Sequence, residues 1–339
     1  METVMNTLLG RQAFSQSDVP DLQGRTAIVT GGTGGIGLEV ARALAHANAR
    51  VLLLSRSSEN AEKAISEIKT SQENGQLLDV AFVQCDLGNL AHVAEIADRL
   101  RKEKRLDLLF CNAGVGVNKF DTTIDGIDRH FAVNHLGHFL LVNRLLPLMR
   151  QTASQKQTPA PRIVCMSSSL HSAAPSDVRF ASVDEINTDI GPVGLYARSK
   201  LANLLFVKYG LLERVLDPAR DRILALATHP GAVHTGQQDQ FKEAYGTVIG
   251  TVMKHTVTPF MRDAKQGCLS MLWAGTSEDV EHDPSKWNGK YITDPGQTTQ
   301  ESDMACDPEL GKNLWILSEQ LVRDKLGAAA LLPWDEVKF

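Results

Sequence analysis

The sequence predicts an α/β fold, a doubly wound parallel sheet of about seven strands with helices on both faces. Three observations predict it. Short, nearly continuous apolar runs recur from Thr26 to Ala227, as strands covered on both faces require. Longer stretches with an apolar face separate them, the pattern of helices packed on a sheet. The connections are short, and β-α alternation of this kind closes through right-handed crossovers.

A polar lead-in over 1–23 precedes a single domain over 24–339. Strand 1 is expected at Thr26–Thr30 and is followed by a helix from about Gly35 to Asn48. Strand 2 is Arg50–Ser55, with an amphipathic helix over Ala61–Gln72. Strand 3 is Asp79–Gln84, with a helix near Ala91–Lys104. Strand 4, Leu106–Cys111, leads to a long helix over Gly126–Arg150. The polar stretch Gln151–Pro161 reads as a loop inside the domain, because the alternation resumes after it. Strand 5 is Arg162–Met166, a second long helix fits Leu195–Leu216, and strand 6 is Arg222–Ala227. From His229 the pattern loosens. Helical patterns fit Phe241–Arg262 and Ala264–Thr276, a last strand fits Lys290–Thr293, and a closing helix fits Pro308–Lys325 in a C-terminal extension.

Composition narrows the function. The 339 residues are 43% apolar and 22% charged with a net charge of −5, and no basic run marks a nucleic-acid face. Five scattered cysteines without a C-x-x-C pair fit a reduced, cytoplasmic protein. The N-terminus has no basic, apolar signal pattern, and no stretch reaches the roughly 18–20 apolar residues of a membrane span.

The chemistry starts at the turn after strand 1. Gly32, Gly34 and Gly37 satisfy G-x-G-x-x-G, while Thr30, Gly31, Gly35 and Gly37 satisfy T-G-x-x-x-G-x-G. Either pattern lets backbone approach a pyrophosphate at a helix N-terminus. At the end of strand 2, where an acidic residue would bind the ribose 2′-hydroxyl of NAD, the chain has Arg56 between Ser55 and Ser57. An arginine there can pair with a 2′-phosphate, which favours NADP(H). The alternative is a solvated arginine at a strand end. Tyr196 and Lys200 lie at i and i+4, one face of a helix. A free phenol has a pKa of about 10, and a nearby lysine would bring it toward the working range. The same spacing also suits an ordinary surface pair. Its context is less ordinary: strand 4 runs into Asn112, Ala113 and Gly114, strand 5 into Ser167, Ser168 and Ser169, and strand 6 into His229–Thr235. All three turns sit at the carboxyl edge of the sheet, where ligands bind.

Taken together, these motifs resemble the short-chain dehydrogenase/reductase family over about 24–236 and on to the last strand. That family has a Rossmann fold. The resemblance selects the second glycine pattern, with Gly31, Gly35 and Gly37 as its glycines and Thr33 and Ile36 in the same cofactor loop. It assigns Asp86 and Leu87 to the adenine and Asn112, Ala113 and Gly114 to the cofactor turn. Pro230, Gly231, Val233 and Thr235 would grip the nicotinamide carboxamide. Ser168 aligns with the catalytic serine, with Ser167 and Ser169 as neighbours that could replace it. Tyr196 aligns with the acid/base, Lys200 with the lysine that also contacts the nicotinamide ribose, and Asn134 with the asparagine of a proton relay. The segment from His130 to Phe139 and the late Asn288–Tyr291 resemble the retinol-dehydrogenase-like branch, most of all its soluble fungal members, many of which act in secondary metabolism. His130, His135 and His138 lie at i, i+5 and i+8 and do not converge as metal ligands.

The resemblance implies an NADP(H)-dependent oxidoreductase acting on a carbonyl or alcohol of a medium-sized, apolar substrate. An imine or activated alkene would suit the same residues. A non-catalytic NADPH sensor or scaffold would need only the glycine turn and Arg56, so the full Ser-Tyr-Lys-Asn set speaks against it. Ser168 and Tyr196 are 28 positions apart, so a loop over about His171–Val193 is expected to fold over the site. A substrate lid is expected at about 236–262, carrying Phe241, Tyr245, Val248, Ile249, Met253 and Phe260. A homodimer through the two long helices is a further expectation from the family.

Overall fold

The computed structural model describes residues 14–71, 77–155, 158–233 and 262–335. The expected lid, the helices expected within Phe241–Arg262 and Thr235 lie outside the described residues, Arg262 excepted. Among the described residues, eight strands form one sheet in the order β3-β2-β1-β4-β5-β6-β7-β8. They are β1 Thr26–Thr30, β2 Arg50–Ser55, β3 Val80–Gln84, β4 Leu108–Cys111, β5 Arg162–Met166, β6 Leu224–Thr228, β7 Tyr291–Asp294 and β8 Gln297–Thr298. The first seven are parallel, and β8 returns antiparallel on β7. The seven expected strands are therefore present, and the eighth is a two-residue edge strand too short to show any alternation. The order reverses between β1 and β4, which opens a crevice at their carboxyl ends.

Two cores cover the sheet. On one face pack α1 (Gly35–His46), α2 (Ser58–Thr70) and the helix Leu269–Thr276. The other face carries α3 (Leu90–Leu100), two long helices and the helix Pro308–Leu326. The first long helix, α4, spans 129–153 and contains a π segment at Ala132–Leu136. It begins at Arg129 because Asp128 caps it, its carboxylate accepting the Phe131 N–H at 2.9 Å. The short α5 is Val183–Ile186. The second long helix, α6, spans 191–219, with a π segment at Phe206–Leu216. It starts a turn earlier than expected, with Pro192 in its first turn, a position proline tolerates. Strand 6 is displaced two residues toward the C-terminus at its start, because Arg222 turns out to bond the Ala153 and Thr158 carbonyls of the preceding loop.

The loop expected over the site reaches it only at its start, where His171 and Ser172 line the second cavity described below. Residues 174–190 line neither of the cavities described below. They dock instead on α6 and on the start of α4: on the α6 side the buried Arg198 guanidinium needs acceptors and finds the Glu185 and Ile186 carbonyls at 2.7 and 2.5 Å. Phe180 packs on Phe131, and Asn187 receives the Asp128 N–H. The C-terminal extension packs on α4 and α6, the two long helices of the expected homodimer. Trp315 meets Phe139 at 5.2 Å and Phe206 at 6.4 Å between ring centroids, and Trp334 meets Phe139 at 5.2 Å. Asn143 exchanges two hydrogen bonds with the Leu332 backbone.

Candidate active site

The turn between β1 and α1 is shaped by the absence of side chains. Gly31 and Gly35 have φ of +65° and +53°, which L residues rarely adopt. A Cβ on Gly37 would lie 2.3 Å from the Gly31 carbonyl oxygen and 2.5 Å from Asn112 Nδ2. Thr30 ties this turn to β4: its hydroxyl accepts the Asn112 and Ala113 N–H groups, each at 2.9 Å, and Asn112 Nδ2 donates to the Thr30 carbonyl. The Thr30 hydroxyl also meets His138 Nε2 at 2.8 Å, while His138 Nδ1 lies 3.1 Å from the Asn134 carbonyl. A carbonyl only accepts, so Nδ1 carries the ring proton and Nε2 takes the Thr30 proton. Burial keeps that imidazole neutral, its pKa pushed down to about 4.

A groove of about 480 Å³ opens above this turn. Gly31, Gly35 and Ile36 form its floor, with Asn112, Ala113 and Gly114 beside them. At one end are Arg56, exposed at the close of β2, and Asp86 and Leu87 after β3. Ser167, Ser168, Tyr196, Lys200, Pro230, Gly231 and Val233 line the other. Thr33 and Gly37 support rather than line it, Thr33 donating to Ser55 Oγ at 2.9 Å. A glycine cradle at a helix N-terminus fits the pyrophosphate of a nicotinamide dinucleotide.

At the other end, three side chains converge. The Ser168 hydroxyl lies beside the Tyr196 phenol and favours its ionised form. Ser167 turns away, donating to the Lys200 carbonyl at 2.8 Å, and Ser169 is exposed. Of the three serines, geometry therefore brings only Ser168 to the tyrosine. Lys200 Nζ donates to the Met166 carbonyl at 3.1 Å and lies 5.5 Å from the Tyr196 ring centroid. The expected lowering of the phenol pKa by lysine is not what this geometry gives. Burial pushes Tyr196 up to about 12, and Ser168 only partly opposes it. Burial likewise pushes Lys200 down to about 8, so the ammonium is itself near its limit.

Asn134 sits in the π segment of α4 and is fully buried. Its Oδ1 accepts the Val115 N–H at 2.7 Å, and its Nδ2 donates to the Val115 carbonyl and to Ser199 Oγ. Those bonds clamp the turn after Gly114 onto the helix that carries Tyr196 and Lys200. His130 and His135 find separate partners, the Gly116 carbonyl and Ser318. Sequence reasoning missed Thr30 as the hub, His138, and Tyr291, which reaches the site from β7. Tyr291 was visible only as part of a motif, because a strand tyrosine carries no sign of which cavity it faces.

The match extends to known proteins. The sequence profile of the short chain dehydrogenase family matches residues 25–177. The oxidoreductase bli-4 of Neurospora crassa, named as mitochondrial, is 35% identical over 97% of this chain and 80% of its own length. Retinol dehydrogenase 12 of Mus musculus is 32% identical, covering 89% of this chain and 87% of that protein. The crystal structure of an uncharacterized protein from Mycobacterium paratuberculosis superposes with a TM-score of 0.68 at 27% identity, covering 91% of this chain and 97% of that one. With its sheet order, glycine turn and relatives in agreement, the chain belongs to the short-chain dehydrogenase/reductase family of oxidoreductases.

Proposed function

We propose that this protein is an NADP(H)-dependent oxidoreductase that interconverts a carbonyl and an alcohol. The observation that carries the reading is the convergence of Ser168, Tyr196 and Lys200 on the same groove as the glycine cradle. A bound nicotinamide would supply or accept the hydride. Tyr196, held protonated by burial, gives its proton to the substrate oxygen during reduction. Ser168 donates to that oxygen as charge develops on it. Lys200 holds positive charge beneath the phenol, and Asn134 positions the turn against which both work. NADPH consumption followed against a panel of ketones tests the reading, and the absence of any turnover would contradict it.

The cofactor preference rests on Arg56. Its side chain is exposed at the groove end, next to no acidic residue in Ser55 or Ser57, so it is positioned to meet a phosphate. Arg56→Asp is expected to weaken NADPH at least tenfold more than NADH, since it replaces a charge-assisted pair with repulsion. Binding titrations of both cofactors check this, and an unchanged NADPH/NADH ratio would remove the 2′-phosphate role.

The pH dependence follows from Lys200. An ammonium with a pKa of about 8 is charged below that pH and neutral above it. Reduction leaves a phenolate that needs the positive charge, so kcat/KM for reduction should be level at neutral pH and fall as pH rises through about 8. A profile level to pH 10 would show that Lys200 does not carry this charge. A cytoplasmic location belongs to the same proposal, supported by the unpaired, buried Cys85, Cys111, Cys165 and Cys268; the name of the Neurospora relative points instead to the mitochondrion. Among the described residues, no helix is long and apolar enough to cross a membrane.

A further inference from the structure

A second cavity, of about 600 Å³, adjoins the nicotinamide end of the groove and shares Gly231 with it. Among the described residues no aliphatic side chain lines it; its wall is histidine, tyrosine, threonine, serine, glutamine and paired charges. Tyr291 is the residue that stands out. It is only 2% exposed, yet its phenolic oxygen is buried with no hydrogen-bond partner. Buried phenols rarely go without a partner, and an orphaned one at a cavity wall is explained by a ligand group that completes it. His171, which packs on the Tyr291 ring, is bonded to the Ser168 carbonyl, and Tyr196 is near enough to raise the pKa of this phenol, so the two hydroxyls share one neighbourhood.

The ring of Tyr291 is held in place. His171 meets it edge to face at 5.4 Å, and His171 has no proton to spare: Nδ1 donates to the Ser168 carbonyl at 2.7 Å, and Nε2 accepts the Ser302 N–H at 3.2 Å. His229 is different. Its Nδ1 accepts the Ser169 N–H at 3.3 Å, so a neutral ring carries its proton on Nε2. Burial keeps the ring neutral, with its pKa pushed down to about 4. Its centroid is 6.4 Å from that of Tyr291, and both rings line the cavity. Tyr291 Oη–H and His229 Nε2–H are then two neutral donors beside the reacting centre. The charged residues of the wall are already matched, Arg262 to Asp294 at 2.6 Å and Glu301 to Lys208 at 2.9 Å. Neutral donors with balanced charges suit a neutral acceptor oxygen, not a carboxylate.

We propose that Tyr291 and His229 form a second recognition point for the substrate, so that the preferred substrate is a carbonyl compound carrying a second, neutral acceptor oxygen next to the reacting carbonyl. This rests on the oxidoreductase reading above and narrows its substrate class.

The test uses the full chain with NADPH and two probes that differ by one oxygen, 1-phenylpropane-1,2-dione and propiophenone. A dione is intrinsically the more reactive, so the informative quantity is how the dione/ketone ratio of kcat/KM changes between wild type and Tyr291→Phe. That ratio should fall about tenfold in the variant. Since the substitution removes only an unpartnered hydroxyl, Tm should not drop. Saturation-transfer NMR gives a readout without turnover: the dione should bind the wild type and bind Tyr291→Phe about tenfold more weakly. An unchanged ratio, or no dione binding to the wild type, overturns the inference. A wild type that binds the dione with the expected Tyr291 dependence but reduces neither probe would count against the oxidoreductase reading and leave the recognition point standing.

Discussion

Tyr196→Phe is expected to lower kcat for ketone reduction about a thousandfold, with NADPH affinity within a few-fold of wild type. The phenol is a protonated acid placed beside both Ser168 and Lys200. Burial holds it protonated well past neutral pH, so at working pH it is always ready to donate. Phenylalanine keeps the ring and its packing on α6 and removes only that proton. Ser168 cannot take over as acid, because an aliphatic hydroxyl is a far weaker acid than a phenol and a single N–H, from Leu170, does not offset that. The dinucleotide end of the groove, with Gly31, Gly35 and Arg56, lies on other elements and does not depend on the hydroxyl. Stopped-flow reduction rates and fluorescence titration of NADPH separate the two effects. Activity near wild type would remove Tyr196 from the chemistry, and a parallel loss of NADPH binding would make it a binding residue.

The parts legible in the sequence were those written in short-range pattern. β1, β2 and β5 lie where apolar runs bounded by turn residues put them, since four or five buried residues in a row leave little choice of register. Departures arose where a residue's partner is distant in sequence. Arg198 draws the preceding loop onto α6 through carbonyls a dozen residues away, and nothing in the loop itself announces this. The π segments of α4 and α6 add a residue to the turn without disturbing composition, so a period of 3.6 passes over them. In the site, the motif spacing brought Tyr196 and Lys200 together correctly, but the sign of the Tyr196 shift depended on burial, which no motif encodes. Thr30 shows the limit most clearly. It reads as the first letter of a glycine motif, yet it is the hydroxyl on which the β4 turn and His138 both depend.

Gly37→Ala is expected to destabilise the fold by about 3 kcal/mol and to weaken NADPH at least tenfold. The added methyl would stand 2.3 Å from the Gly31 carbonyl oxygen and 2.8 Å from its carbonyl carbon, distances that no Cβ occupies, so backbone must move. Gly31 cannot yield cheaply. Its N–H is bonded to the Leu54 carbonyl at 2.7 Å, and it already sits at φ +65°. The other obstacle is Asn112 Nδ2, which holds the Thr30 carbonyl and with it the second wall of the groove. Whichever side gives way, the cradle opens. Gly34→Ala is the matched control, because a Cβ there meets nothing within 4 Å and the backbone is extended at φ −170°. Its Tm should stay close to wild type, within about 0.5 kcal/mol of stability. The pair also decides between the two overlapping glycine patterns, since G-x-G-x-x-G makes Gly34 essential and T-G-x-x-x-G-x-G does not. Thermal unfolding and NADPH titration of both variants check this: equal losses at Gly34 and Gly37 would restore the first pattern, and a loss confined to Gly37 leaves the turn organised by its close approach to Gly31.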